Sequence, residues 1–254
     1  MKNIRVPKRQ GLYDPQFEKD SCGVGFVCNI KGERSNRIIK QSLKVLRCLS
    51  HRGAVGADPA TGDGAGILIQ IPHEFLASTC QKEKIPLGRS GTYGTGLIFL
   101  PKNAKERNFC KDTFSRVIKR EEQVLLGWRT VPLDDSNIGK GAKDTAPVIE
   151  QILIGKGKGV KEGIDFERKL YVIRKSVENV IRPSKLKEKA SFYVTNISSR
   201  TILYKGLLMP GQLENFFLDL KDKRVKSAIA LVHSRYSTNT FPTWDLAQPF
   251  RFLA

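Results

Sequence analysis

No stretch of this chain reaches the roughly 18 to 20 apolar residues that a membrane-spanning helix needs, and the basic opening "MKNIRVPKRQ" runs into "GLYDPQFEKD" rather than into an apolar signal core. Both absences point to a soluble, cytoplasmic protein with no membrane partner. Histidine is scarce at three residues, and the five cysteines at 22, 28, 48, 80 and 110 include no C-x-x-C pair. That spacing argues against a zinc site and a disulfide framework, so no metal is expected. The odd count leaves at least one thiol free, which suits a reducing compartment. Acidic residues are also few, with 25 Asp and Glu against 44 Lys and Arg and a net charge of +19. Such an excess can mark a nucleic-acid partner. Here the basic residues are scattered and no basic block carries interleaved aromatics, so a solvated basic surface is expected and no nucleic acid.

What is present is enough to build a core: 254 residues, 40% of them hydrophobic. Residues 1–21 carry Gly11, Pro7, Pro15 and mixed charge without periodicity, as in an extended leader; the folded domain is expected over 22–254. Cys22 to Ile30 reads as a strand. Ser35 is placed to cap a helix running to about Leu49, with Ile38, Ile39, Leu43, Val45, Leu46 and Leu49 on one face covering that strand. Residues 51–66 are rich in Gly, Asp and Pro and read as a loop. Further strands are expected in "ILIQI", "TYGTGLIFLP", "QVLLGWRTVP", "PVIEQILIG" and "SAIALVHSRYST". Helices are expected near 73–80, over 103–122 and over 165–181, and a loop over 132–146. "SFYVTNIS" and "RTILYKGLL" suggest a hairpin, and "PGQLENFFLDL" a helix with Pro210 at its start. Strands in runs with helices between pairs of them fit an α+β protein of layered helices and sheets. "GKGKG" at 155–159 lacks phosphate-loop spacing and reads as an exposed turn.

Cysteine at a strand start is most often a small buried hydrophobe. Cys22, however, sits next to Gly23 and one residue from Gly25, positions at which another backbone or a substrate can come close, and it follows a leader with no visible structural use. Far along the chain, "HSRYSTNTFPTWDLAQPFR" at 233–251 is dense in polar groups where a core strand ends.

Taken in order, "LYDPQFEKDSCGVGFV", "LSHRGAVGADPATGDGAGILIQIP", "FERKLYVIRK", "SSRTILYKGLL" and "LVHSRYSTNTFPTWDLAQPFR" resemble the amino-terminal glutaminase domain of glutamate synthase large subunits. The resemblance implies a class II glutamine amidotransferase with the N-terminal-nucleophile hydrolase fold, a four-layer α/β/β/α sandwich, here C-terminally incomplete. It implies that residues 1–21 are removed so that Cys22 becomes the first residue and catalytic nucleophile, with Arg52 supporting it. Arg235 matches the arginine that holds the α-carboxylate of L-glutamine, and Tyr236, Thr238 and Asn239 match neighbours lining that site. In the family, the chain after "PFRFLA" continues into a His-Asn-Gly-Glu stretch that forms the oxyanion hole. Little glutaminase activity is therefore expected of residues 1–254 alone. The family's synthase domains, carried on the same polypeptide, carry FMN and an iron–sulfur cluster and draw electrons from NAD(P)H, through a small electron-donating subunit, or from ferredoxin. No cofactor is expected in this segment, whose cysteines lack cluster spacing.

Two other readings of the residues stand beside this one. A Cys–His hydrolase would pair Cys22 with His233 or His51 and could keep its leader. A non-catalytic remnant or basic binding module would account for the charge without any chemistry.

Overall fold

The structure is a computed structural model, and it describes residues 8–11, 14–17, 21–54, 58–237 and 239–250. Most of the leader expected over 1–21 lies outside the described residues; within it, Pro15–Phe17 form a single 3-10 turn. In chain order the elements are β1 (Gly23–Cys28), α1 (Asn36–Cys48), β2 (Ala65–Gln70), α2 (His73–Lys82), β3 (Tyr93–Leu100), α3 (Ala104–Arg120) and β4 (Val124–Thr130). They continue with α4 (Lys140–Thr145), β5 (Val148–Gly155), α5 (Ile164–Ile181), β6 (Tyr193–Val194), β7 (Thr201–Gly206), α6 (Leu213–Phe216) and β8 (Ile229–Ser234).

The strands form two four-stranded antiparallel sheets, ordered β1-β8-β2-β7 and β4-β5-β3-β6. Alternation along each strand decides what each face buries. In the second sheet Ile98, Leu100, Ile152 and Ile154 pack with Phe114 and Val117 of α3 and with Leu170 and Ile173 of α5. The opposite face, through Leu97 and Phe99, joins Ile67, Ile69, Tyr204 and Val232 of the first sheet in one continuous core. Ile39, Leu43 and Leu46 of α1 belong to that core as well, and α1 lies over β1 and β8. The expectation that this helix covers the first strand is met.

A buried polar cluster crosses between the sheets. Arg129 on β4 donates through Nη1 and Nη2 to both carboxylate oxygens of Asp219, at 2.8 and 2.6 Å, and through Nη1 to Gln151 Oε1 at 2.9 Å. The Tyr204 hydroxyl donates to Asp219 Oδ2 at 3.3 Å, and burial together with that carboxylate pushes its phenol well above the ordinary range.

Several expectations fail for identifiable reasons. The loop expected over 132–146 contains α4, because Asp58 Oδ2 accepts from the Gly141 N–H and Thr61 Oγ1 from the Ala142 N–H. Both capping acceptors lie some 80 positions upstream, out of reach of a local pattern. The hairpin at 191–208 does not form. β6 pairs with β3 in one sheet and β7 with β2 in the other, while Asn196 bridges the crossing by accepting from Leu203 N–H and donating to Thr201 O. The helix expected from Pro210 shrinks to α6 followed by a 3-10 turn. Phe217 leaves the helix in an extended conformation and packs on Tyr204, while Phe216 packs on Trp244. Ser35 stands at the N-cap position of α1 without a side-chain cap; its backbone instead exchanges two hydrogen bonds with Ser227. In "GKGKG", Lys158 and Gly159 are exposed as expected, but Gly157 is buried, with its N–H on Gln123 Oε1 at 2.9 Å.

Gly25 shows how tightly α1 seats. A Cβ there would lie 2.7 Å from Val45 Cγ1, closer than packed carbons approach. Gly25→Ala gains about 0.5–1 kcal/mol of backbone preference and loses about 1–3 kcal/mol to overpacking. The expected result is a lower unfolding midpoint, restored when Val45→Ala is added, as chemical denaturation of the single and double variants would show.

Candidate active site

Antiparallel pairing of β1 with β8 places Gly23 opposite Ser234, and so brings Cys22 beside the chain that leaves β8 at Arg235 and Tyr236. The Tyr236 N–H donates to Cys22 Sγ at 3.4 Å, and the thiol reaches Tyr236 O at 3.6 Å. Two segments separated by more than two hundred residues thus meet at the sulfur.

Arg235 is buried, with 7% of its surface exposed. Its Nη1 donates to Asp63 O at 3.5 Å and its Nη2 to Ser237 Oγ at 3.2 Å and Thr240 Oγ1 at 2.7 Å. The guanidinium is therefore held in a fixed plane beside a cavity of about 270 Å³ lined by Gly53, Asp63, Ser234, Arg235 and Gln212 among others. Ser234 Oγ in that lining is fully buried and has no hydrogen-bond partner among the described residues. Arg52 follows α1 in a 3-10 turn and donates to the Ser21 hydroxyl, one residue before Cys22.

Of the residues singled out in the sequence, Cys22, Arg52, Arg235 and Tyr236 are drawn into one neighbourhood. Asn239 is exposed on the loop that follows, and Thr238 lies outside the described residues. Of the two uses expected for Gly23 and Gly25, close approach of another part of the chain is the one seen. Side chains there would strike Leu49, Arg52 and Val45, so the space they leave is taken by α1 and the turn after it, not by a substrate.

The histidines give no support to a Cys–His pair. Burial and the nearby Arg235 charge lower the His233 imidazole to about 4, too weak a base to take a thiol proton, and its Nδ1 is buried without a partner among the described residues. His51 is exposed, with Nδ1 on Cys48 O at 2.9 Å. Neither ring bonds to Cys22 among the described residues.

The profile of the class-II glutamine amidotransferases matches residues 22–254, from the nucleophile candidate to the last residue. The chain belongs to that family. This amidotransferase accordingly has the N-terminal-nucleophile hydrolase fold, an α+β sandwich, seen here as two antiparallel sheets with helices packed on them. It is 47% identical over 98% of its length to the glutamate synthase [NADPH] large chain of Bacillus subtilis, of which it covers 16%. It is 41% identical over 98% of its length to the glutamate synthase [NADH] of Schizosaccharomyces pombe, covering 12%, and 41% identical over 97% to the chloroplastic ferredoxin-dependent glutamate synthase of rice, covering 15%. The chain thus spans less than a sixth of the length of these relatives. No helix among the described residues is long and apolar enough to cross a membrane.

Sequence reasoning missed Asp63 in this amidotransferase. Its carboxylate, 6% exposed, accepts from the Ser237 N–H at 2.6 Å, and its carbonyl faces Arg235. In "ATGDGAG" it looked like one more turn former. Thr240, which meets Arg235 directly, was likewise passed over; nothing short of the fold places its hydroxyl there.

Proposed function

We propose that this chain is the glutaminase part of a glutamate synthase, hydrolysing L-glutamine to glutamate and ammonia. Cys22 acts as an N-terminal nucleophile after residues 1–21 are removed. The observation that carries the proposal is the Tyr236 N–H on Cys22 Sγ at 3.4 Å, which ties the thiol to the segment bearing Arg235.

Once Ser21 is gone, the α-amine of Cys22 has a reference pKa of about 7.7–8.0 and is partly neutral near pH 7. It takes the thiol proton, directly or through water, and no histidine is needed. The sulfur attacks the glutamine side-chain carbonyl carbon, the C–N bond breaks, and the ammonium formed from the amine returns its proton to the departing ammonia. Water then cleaves the thioester to glutamate and regenerates the thiol. Arg235 binds the substrate α-carboxylate through both oxygens, a task for which its planar fork is shaped. Arg52 supports the nucleophile's end of the chain, and Tyr236, Thr238 and Asn239 line the glutamine site. The domain boundary between leader and enzyme falls between Ser21 and Cys22.

The ammonia is used in the remainder of the full-length enzyme for reductive amination of 2-oxoglutarate. There FMN and an iron–sulfur cluster, held outside residues 1–254, would supply the electron-transfer chemistry, with electrons from NAD(P)H through a small electron-donating subunit or from ferredoxin. Within this amidotransferase segment the described residues contain no group of three or more His, Cys, Asp or Glu arranged to hold a metal ion.

Arg235→Lys replaces a two-pronged contact with a point charge. In the full-length enzyme the glutamine KM is expected to rise by about 10–100-fold, the loss of one charge-assisted hydrogen bond, with a smaller change in kcat. Steady-state kinetics against glutamine and against ammonia would check it: an unchanged glutamine KM removes Arg235 from the site.

A further inference from the structure

Lys205 on β7 is fully buried, an unusual place for an ammonium, which is costly to take out of water unless its donors are satisfied. Its Nζ donates to two main-chain carbonyls, Asp245 O and Ala247 O, both at 2.7 Å. The ring centroid of Tyr193 lies 4.3 Å from the nitrogen and that of Phe250 5.1 Å, so aromatic rings stand beside the ammonium as well.

Both carbonyls belong to the segment that follows the Arg235 loop and lies directly on strand backbone. A Cβ at Gly66 would sit 2.6 Å from Gln248 O, and one at Gly206 would sit 2.6 Å from the Trp244 ring. Trp244 is itself anchored, with Nε1 donating to Ala142 O at 3.2 Å. At its upstream end the same segment starts from Thr240, whose hydroxyl accepts from Arg235 Nη2 at 2.7 Å. Methionine would fill the volume of Lys205 without burying a charge. What the ammonium adds is a choice of which two carbonyls lie over β7, and so the register of the whole segment.

We propose that Lys205 is a positioning residue for glutamine binding: it fixes the 240–250 segment on the sheet, and through Thr240 it holds the Arg235 guanidinium in the plane that receives a carboxylate. The proposal rests on the assignment of Arg235 given above. It acts through another residue and touches no reacting atom.

The test uses Lys205→Met in the full-length enzyme, with Arg235→Lys measured beside it. Hydrogen exchange of the amides over 243–250, read without substrate, is expected to speed up by about tenfold or more as the segment loosens. The glutamine KM is expected to rise by about tenfold with kcat within about threefold, as a displaced binding group should give, and ammonia-dependent synthesis is expected to stay at the wild-type level. Unchanged exchange over 243–250 overturns the proposal. So does faster exchange with an unchanged glutamine KM when Arg235→Lys raises it. If Arg235→Lys leaves the KM unchanged, the glutamine assignment is what fails, and the exchange result still decides whether Lys205 fixes the segment. Thr240→Val cuts the same link at an exposed residue and carries the same KM prediction should the Met variant fail to fold; an unchanged KM there is equally fatal.

Discussion

Replacing Cys22 by alanine in the full-length enzyme is expected to abolish glutamine-dependent glutamate formation while ammonia-dependent formation continues. Loss of a nucleophile that acts as a unit with its base removes on the order of 10⁴–10⁶ in kcat. The two half-reactions separate because the thiol is used only to free ammonia. The substitution should also leave the fold intact: the thiol is half-exposed at the mouth of β1, and its bonds are to the Tyr236 backbone rather than to core side chains. A second experiment isolates the base. With Ser21 attached, the Cys22 nitrogen is an amide and cannot accept a proton, so a variant whose leader is kept in place should match Cys22→Ala in glutamine turnover. Intact mass and initial rates measured on the same preparation decide the matter, and an active enzyme that retains residues 1–21 would sink the free-amine mechanism.

The largest effect on stability is expected at Asp219. Its carboxylate, 3% exposed, takes two hydrogen bonds from Arg129, itself 2% exposed, and one from Tyr204. Asp219→Asn leaves the Arg129 charge buried without its partner; Glu83, at 3.6 Å from Arg129 Nε, is too far for a good hydrogen bond and is itself partly exposed. Breaking a buried pair from one side costs about 3–5 kcal/mol, while replacing both partners by apolar groups is often neutral. At about 2–4 °C per kcal/mol for a chain of this size, the midpoint should fall by roughly 6–20 °C. Arg129→Met with Asp219→Leu should recover most of that. Thermal unfolding of the single and double variants measures the difference, and a loss below about 1 kcal/mol for Asp219→Asn would mean that water or Glu83 already compensates Arg129.

How much of this was legible beforehand follows the range of the forces involved. The strands β2 to β5 and β8 and the helices α1, α3 and α5 carry their own periodicity, and each appears within a few residues of its expected place. Elements stabilised from a distance do not announce themselves. α4 depends on Asp58 and Thr61, and β6 on β3. The same division holds at the site. Cys22, Arg52, Arg235 and Tyr236 were visible through resemblance, and Cys22 and Arg235 also through their odd surroundings in the sequence. Asp63, Thr240 and Lys205 were not, since each matters only through a bond to a residue brought near by the sheet.

Val24, Phe26 and Ile229 stand on the β1–β8 half of the first sheet at 58%, 65% and 46% exposure, and β1 is the edge of that sheet among the described residues. In dilute buffer the net charge of +19 keeps such surfaces apart by mutual repulsion. Added salt screens that repulsion over about 10 Å at 0.1 M while leaving the apolar attraction and the open edge untouched. The isolated segment is therefore expected to associate more readily as ionic strength rises.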